Sequence, residues 1–253
     1  MKLLNYVGKI PVKEFPTDVE LIPIGDMHIG HKSTDLNLLQ KYIGHIDKKP
    51  NAYTCLMGDE LEAELPSRSG NWGYEQEGLI DSQLDTFYKM FKPLAEKKKI
   101  LTKCNSTHTG WTKKLTGHDI DKEIAERVGA DYLGVGGYWK LGAGNRDYTI
   151  FQQHGASSSK YPQFEITKAI DGYPNADVYL LGHVHQMSAQ PYTKRFAFGD
   201  KEFEKTVWGI RTGAFVGDKE WAREKLLPRP NMGAPIIHLD DQKLDIRVEI
   251  DSI

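Results

Sequence analysis

The chain has 253 residues, 39% of them hydrophobic and 27% charged, a composition typical of a globular protein that buries its own core. Its 33 basic and 35 acidic side chains give a net charge of −2, which disfavours avid, nonspecific binding to nucleic acid, although a local basic groove is compatible with that total. Two cysteines without a C-x-x-C spacing exclude a disulfide framework, and no run approaches the roughly 18 apolar residues of a membrane span.

The first half of the chain is predicted to alternate strands with helices. In residues 35–48, for example, Leu39, Tyr42 and Ile46 recur at helical spacing. The predicted strands are 19–25, 52–57 and 99–104, and the predicted helices are 35–48, 81–96 and 119–128. Residues 63–78 show no clear period and predict a long loop, which in a compact domain is usually a lid or a binding loop, or else disordered.

The second half is predicted to be rich in strands. The sequence Gly-Ala-Gly-Asn at 142–145 predicts a hairpin turn. The predicted strands are 138–141, 148–153, 178–181, 205–210, 234–239 and 244–250, with one helix at 164–170. Since no repeat or linker is present, we expect one domain over residues 1–253, with its motif core at about 19–190 and a β-rich part at 191–253 that completes the fold. Residues 1–9 lack the pattern of a signal peptide, so we expect a cytoplasmic protein without a membrane partner.

Five predicted strands end at a potential metal ligand. His183 and His185 are two residues apart, so that in an extended segment both imidazoles point the same way. The other potential ligands at strand ends are Asp26, His28, Asp59, Asn105 and His154. Mixed oxygen and nitrogen ligands favour manganese, iron, zinc or cobalt over magnesium or calcium. The set also fits two metals bridged by one carboxylate, whereas the alternative is that these residues are caps and turn formers.

The order of these motifs resembles that of the calcineurin-like metallophosphoesterase superfamily, which includes protein phosphatases, nucleotide phosphodiesterases and repair nucleases. The matching motifs are D-x-H at 26–28, G-D-x-x-E at 58–62, asparagine at 105, H-G at 154–155 and G-H-x-H at 182–185. The resemblance implies an α/β fold (α+β in some schemes), a four-layer α/β/β/α sandwich of two mixed β-sheets flanked by helices. It also implies two divalent metal ions, with manganese favoured and iron, zinc, cobalt or nickel as alternatives.

The resemblance also implies how the ligands are shared. One metal would be held by Asp26, His28, Asp59 and His185, and the second by Asp59 as a bridge together with Asn105, His154 and His183. Members of the superfamily hydrolyse a P–O bond by attack of a metal-activated hydroxide without a covalent intermediate, which makes Asp59 a catalytic candidate.

One motif departs from the pattern of the superfamily. Ser106 occupies the position at which relatives have a histidine that protonates the leaving oxygen or contacts the phosphate. A serine hydroxyl does not donate a proton with comparable ease near neutral pH. We hypothesise that His108, two residues further on, partly replaces that histidine as a catalytic residue; the alternative is a histidine on the surface or behind the ligands.

Several further residues have two competing interpretations. Glu62 either orients a metal ligand or bound water or is an exposed loop glutamate. His31 either contacts phosphate or is exposed to solvent. The long loop contains Arg68, Trp72 and Tyr74, which either grip a phosphate and stack on a base or pack the loop onto its own domain.

The sequence therefore predicts a metal-dependent phosphoric ester hydrolase. A phosphodiesterase or nuclease acting on DNA, RNA or a nucleotide is favoured, because the predicted loop carries aromatic residues and the histidine suited to monoesters is replaced. The alternatives are a phosphomonoesterase and a binding scaffold on a catalytically weakened fold of the same superfamily.

Overall fold

The computed structural model describes residues 10–64, 76–156, 163–224, 226, 228–250 and 253. In chain order, the strands in these residues are β1 (Val12–Phe15), β2 (Val19–Ile24), β3 (Ala52–Leu56), β4 (Ile100–Lys103), β5 (Asp131–Tyr132), β6 (Gly136–Ala143), β7 (Arg146–Gln153), β8 (Val178–Leu181), β9 (Ser188–Phe198), β10 (Lys201–Arg211), β11 (Ile236–Leu239) and β12 (Ile246–Glu249). The helices are α1 (Leu36–Lys48), α2 (Ile80–Glu96), α3 (Thr107–Thr116), α4 (Ile120–Val128), α5 (Gln163–Gly172) and α6 (Glu220–Glu224).

The strands form two mixed six-stranded β-sheets. The first sheet has the order β1-β6-β7-β8-β10-β9, and the second has the order β12-β11-β2-β3-β4-β5. In the second sheet β2, β3, β4 and β5 are parallel, whereas β11 is antiparallel to both β2 and β12. In the first sheet β8 is parallel to both β7 and β10. The C-terminal strands β10 and β11 enter different sheets, so this part of the chain contributes to both.

The two sheets pack face to face with helices on their outer faces. Successive side chains of a strand point to opposite faces, and β2 accordingly directs Leu21 between the sheets and Ile22 towards the helices α1, α2 and α4. Trp139 of the first sheet is fully buried in the layer between the sheets. The outer face of the first sheet packs against α5 through Ile166 and Ile170. The α/β sandwich predicted from the sequence is confirmed.

The predicted helices at 35–48, 81–96, 119–128 and 164–170 are confirmed as α1, α2, α4 and α5, with small shifts of their ends. Helix α3 was not predicted, because its sequence Thr-His-Thr-Gly-Trp-Thr has no apolar period. The strand predicted at 205–210 is longer, since β9 and β10 form a hairpin with eleven residues in each strand. None of the helices in the described ranges is long and apolar enough to span a membrane.

Candidate metal centre

The ligand candidates lie directly after five strands, one of which is β4, followed by Asn105. Asp26 and His28 follow β2, and Asp59 follows β3. In the other sheet, His154 follows β7 and His183 follows β8. The backbone N–H of His183 donates to Asp26 Oδ2 at 2.9 Å, a hydrogen bond that joins the strand ends of the two sheets. The centre is therefore built from both sheets at once.

The backbone at the ligand candidates adopts an unusual conformation. Nine non-glycine residues in the described ranges have a positive φ, and the following five are ligand candidates, with φ between 49° and 73°: Asp26, His28, Asp59, His183 and His185. The left-handed region costs a non-glycine residue roughly 1–3 kcal/mol and persists only where the surroundings enforce it. Such strain concentrates at functional sites, and here it turns side chains of different strands towards one place.

The first cluster consists of Asp26, His28 and His185. Asp26 Oδ1 lies 3.2 Å from His185 Nε2, and the Nε2 atoms of His28 and His185 lie 3.3 Å apart. The carboxylate is fully buried, and its Oδ1 atom has no hydrogen-bond partner. One carboxylate oxygen and two imidazole nitrogens thus face a common point, which is a donor set suited to a divalent transition metal.

The second cluster consists of Asp59, His154 and His183. His154 Nε2 lies 3.1 Å from Asp59 Oδ2, and the rings of His154 and His183 are 5.1 Å apart. His154 Nδ1 donates to the Met57 carbonyl at 2.7 Å, so that Nε2 is the nitrogen directed into the cluster. Histidine ligands are held in this way by a hydrogen bond from the other ring nitrogen.

Burial and neighbouring charges set the protonation of the cluster. Burial opposes ionisation of Asp26, but His185 outweighs this effect and lowers the pKa of the carboxyl to about 2. Burial likewise opposes ionisation of Asp59, whose pKa is held well below its usual range by His154. Asp59 in turn raises the pKa of His154 to about 10, against the effect of burial. An ion that binds His154 Nε2 therefore has to displace a proton.

Glu62 lies behind His28 and fixes its orientation. The carboxylate is buried, and Glu62 Oε2 lies 2.8 Å from His28 Nδ1. Burial opposes its ionisation, but His28 and Lys219 hold the pKa of Glu62 well below its usual range. An ionised carboxylate only accepts hydrogen bonds, so His28 Nδ1 donates and Nε2 presents its lone pair. Burial lowers the pKa of His28 to about 3, which keeps this imidazole in the neutral form that binds metals.

Lys219 is a residue of this site that sequence reasoning missed. Its buried ammonium donates to Glu62 Oε2 at 2.8 Å and to Oε1 at 3.1 Å. The residue lies directly before the short helix α6, 157 positions after Glu62. No spacing or motif in the sequence connects these two residues, because their pairing exists only in the folded chain. The ammonium of Lys219 balances the negative charge of the Glu62 carboxylate.

His108 lies at the edge of both clusters, in the first turn of α3. Its Nε2 atom is 4.0 Å from Asp59 Oδ2, and its ring centre is 4.8 Å from that of His28. Its Nδ1 is hydrogen-bonded to the Glu62 carbonyl, which directs Nε2 towards the cluster. The backbone N–H groups of Thr107 and His108 donate to Asp59 Oδ1 at 2.7 and 3.0 Å. The start of α3 thus holds Asp59 and brings His108 to the site.

Ser106 is buried and contacts the candidate centre through the backbone of Asp59. Its Oγ accepts from the backbone N–H of Asp59 at 2.8 Å and donates to Asp121 Oδ1 at 2.7 Å. The same buried network contains the fully buried Lys103, whose ammonium lies 2.7 Å from Glu60 and 2.8 Å from Asp121. The hydroxyl of Ser106 therefore positions Asp59 through its backbone.

The remaining candidate residues have different surroundings in the structure. The Asn105 amide oxygen accepts a hydrogen bond from the Tyr132 hydroxyl, which fixes its side chain at the end of β4. His31 is buried, in contrast to the interpretation that it is exposed, and its Nδ1 is hydrogen-bonded to the Ser33 hydroxyl at 2.8 Å. Glu62 is likewise not an exposed loop residue. The three loop candidates lie outside the described residues: Arg68, Trp72 and Tyr74.

Both clusters fit a divalent ion. The three ligand atoms of each lie within 4.8 Å of one another, and so do those of His28, Asp59 and His108. Asp26 Oδ1 and His154 Nε2 are buried without a hydrogen-bond partner. A buried polar atom without a hydrogen bond destabilises a fold, and a cation bound here would give both atoms a partner. The group of His28, Asp59 and His108 shares His28 with the first cluster and Asp59 with the second, so the two clusters are adjacent.

No protein-family model matches the chain, and no curated protein matches it. The fold is similar to a solved structure of a single mutant of Vps29 from Entamoeba histolytica, with 13% identity over 91% of this chain and 97% of that chain and a TM-score of 0.45. A conserved uncharacterized protein from Streptococcus pneumoniae, described as a predicted phosphoesterase, matches with 11% identity over 92% and 89% of the two chains and a TM-score of 0.42. A metallophosphoesterase from Sphaerobacter thermophilus matches with 10% identity over 91% and 87% and a TM-score of 0.41. At these identities and TM-scores the likeness concerns the fold alone.

Proposed function

We propose that this protein is a metal-dependent phosphoester hydrolase that binds two divalent ions, with manganese favoured, and cleaves phosphodiesters of nucleic acids or nucleotides. The observation that carries the proposal is the adjacency of two ligand clusters, Asp26–His28–His185 and Asp59–His154–His183, each complete within 4.8 Å. Two adjacent divalent ions supply Lewis-acid activation of water and neutralise charge on the phosphoryl oxygens.

The side chains around the clusters have distinct roles in this proposal. Glu62 and the Met57 carbonyl orient His28 and His154, whose Nε2 atoms would hold the ions. Asp59 is held by the first turn of α3 and would be shared by the two ions. His108 directs Nε2 towards the cluster while Nδ1 donates to the Glu62 carbonyl, so it would protonate the leaving oxygen as the imidazolium, with a proton on both nitrogens.

The charge of the surroundings supports a diester over a monoester. Three described cationic side chains contact the ligands or their loops, and all three are paired with carboxylates. Lys103 is paired with Glu60 and Asp121. Lys219 is paired with Glu62, and Arg211 is paired with Glu165 while it also donates to the Gly182 carbonyl. Binding of a phosphomonoester dianion is strengthened by cationic side chains that are not already paired, and these side chains are paired. A phosphodiester carries a single negative charge. The cytoplasmic location expected from the sequence stays a prediction.

The first test compares Asp59→Asn with the parent protein on bis(p-nitrophenyl) phosphate in the presence of manganese. The substitution removes the charge that the ions share, so we expect kcat/KM to fall by at least about 100-fold. The matched control is Asp85→Asn, which removes an exposed carboxylate on α2 and should leave the rate unchanged.

Hydrolysis of the bis-ester well above that of p-nitrophenyl phosphate supports the diesterase proposal, and the opposite preference supports a phosphomonoesterase. A manganese-loaded parent protein that turns over neither ester, with Asp59→Asn indistinguishable from it, contradicts the enzymatic proposal. That outcome favours a binding scaffold.

A further inference from the structure

A cleft of about 240 Å³ lies between the start of α5 and the start of β9. Both of its walls continue from loops that carry ligand candidates. Gln186 and Met187 of one wall directly follow His185, and the first turn of α5 is tied to the loop after His154 because Glu165 accepts a hydrogen bond from the Ala156 N–H at 2.8 Å. The cleft therefore opens at the same end of the first sheet as the metal centre.

The polar side chains of the cleft are uncharged amides and the hydroxyls of Ser188 and Tyr192. Gln163, Gln186 and Gln190 line it, and none of its described lining residues carries a charge. Gln186 Nε2 donates to the Arg229 carbonyl at 2.6 Å, which fixes that amide and directs its oxygen away from Arg229. Each amide presents a donor and an acceptor side by side, the pattern that matches the edge of a nucleobase. A phosphate or a carboxylate finds no positive charge here.

The apolar surface of the cleft suits a flat ring. The half-buried Tyr192 ring lies against β10 at Gly209, where an added Cβ would be 2.8 Å from Tyr192 Cε2 and 2.3 Å from Ile166 Cγ2. The absence of a side chain at this position lets the aromatic ring approach the backbone and fixes it there. Met187 adds a polarisable thioether to the lining. Aromatic rings of this kind stack on bases whatever their sequence.

We propose that this cleft is a nucleobase subsite, which holds the base of the nucleotide whose phosphodiester lies at the metal centre. The proposal rests on the proposed function and adds the place where the base of such a substrate binds. The cleft is smaller than the roughly 300–1,000 Å³ of sites for drug-sized ligands, so it takes one ring system and leaves sugar and phosphate outside. Stacking on Tyr192 and amide contacts provide the binding.

The test uses the manganese-loaded protein and two chromogenic diesters, one with a base and one without. They are the p-nitrophenyl ester of thymidine 5′-monophosphate and bis(p-nitrophenyl) phosphate. In Tyr192→Ala, kcat/KM for the nucleoside ester relative to the bis-ester should fall by about 5- to 150-fold, the range that corresponds to loss of one stacked base. Tyr192→Phe keeps the ring and should retain the parent ratio. The control Thr193→Ala changes the exposed neighbour on β9 and should leave both rates unchanged.

Gln190→Ala is a second test of the subsite that a folding defect does not obscure, because this side chain is exposed and its removal does not disturb the core. It should also lower the ratio of the two esters. An unchanged ratio in both Tyr192→Ala and Gln190→Ala overturns the subsite while the phosphoesterase stands.

If neither ester is hydrolysed, the proposed function fails, and the subsite is then judged by binding alone. Thymidine and adenosine are titrated into metal-free protein and followed by saturation-transfer NMR. Transfer to the base protons that disappears in Tyr192→Ala supports the subsite, and absence of transfer in the parent overturns it.

Discussion

His108 lies beside the candidate metal centre. Ser106, two residues before it, makes its hydrogen bonds within a buried network instead. The Ser106 hydroxyl is bound to Asp121 and to the Asp59 backbone, so it has no proton to offer a substrate. His108 has one nitrogen bound to the Glu62 carbonyl and the other directed towards Asp59. Of these two residues, His108 is the one whose free nitrogen faces the clusters, so the role of proton donor is proposed for His108.

Replacement of His108 by alanine should slow esters with poor leaving groups more than esters with good ones. A nucleoside leaving group needs a proton, so kcat should fall by about 100-fold or more. A p-nitrophenolate leaves without protonation, so its kcat should fall much less. Steady-state kinetics on a dinucleotide and on bis(p-nitrophenyl) phosphate check this. The control His118→Ala removes an exposed histidine bound to Glu123 and should behave like the parent. Equal kcat on the dinucleotide for His108→Ala and the parent removes His108 from the mechanism.

At the scale of elements, the strand ends approach one another so closely that one connection requires glycine. Gly58, with a φ of +97°, lies between β3 and Asp59. An added Cβ there would be 2.5 Å from the Asn105 carbonyl oxygen and 2.7 Å from His154 Nδ1. This glycine therefore lets the ends of β3, β4 and β7 meet, which brings ligands of both sheets together.

Gly58→Ala should weaken both the fold and metal binding. The strained φ alone costs roughly 1–3 kcal/mol, and the contact with His154 displaces a ligand. Urea unfolding of the metal-free protein and calorimetric titration with manganese measure the two effects. The control is Gly110→Ala in α3, where an added Cβ meets nothing within 4 Å. That change should stabilise the helix by up to about 1 kcal/mol. If Gly58→Ala binds manganese as tightly as Gly110→Ala does, the close approach is not needed for the site.

At the scale of the whole molecule, the sandwich brings buried carboxylates of one sheet and histidines of the other together at one end. Asp26 and Asp59 are buried carboxylates from the second sheet, and His154 and His183 come from the first. Without an ion, Asp26 Oδ1 and His154 Nε2 lack hydrogen-bond partners. Buried polar atoms in this state destabilise the fold, so metal binding and stability should be coupled.

Manganese should therefore raise the melting temperature. At about 100 times its dissociation constant, a ligand that binds only the folded state raises the free energy of unfolding by about 2.7 kcal/mol per site. For a chain of this size, each kcal/mol corresponds to about 2–4 °C. Differential scanning calorimetry with EDTA, manganese or magnesium measures the shift, and magnesium should give less because nitrogen ligands disfavour it. No shift up to millimolar manganese contradicts a metal centre.

The sequence by itself determined most of the elements and the kinds of ligand, whereas β1, β5, β9 and α6 were not predicted. Alternating strands and amphipathic helices such as α1 follow from periodicities that are local, and the motifs at 26–28, 58–62 and 182–185 show their residue types directly. Even the departure at Ser106 was visible without coordinates. The same local criterion missed α3, because its polar first turn has no apolar period and is held in place by its hydrogen bonds to Asp59.

Only the tertiary structure decided which side chains meet and in which protonation state. Lys219 pairs with Glu62 across 157 positions, and Ser106 joins a buried network of charges instead of facing the site. His31 is buried although its local sequence is compatible with exposure. The physical reason is that burial, ion pairing and the choice of a histidine's free nitrogen depend on neighbours brought together by packing of the two sheets. Those neighbours are distant in the chain, so no local pattern records them.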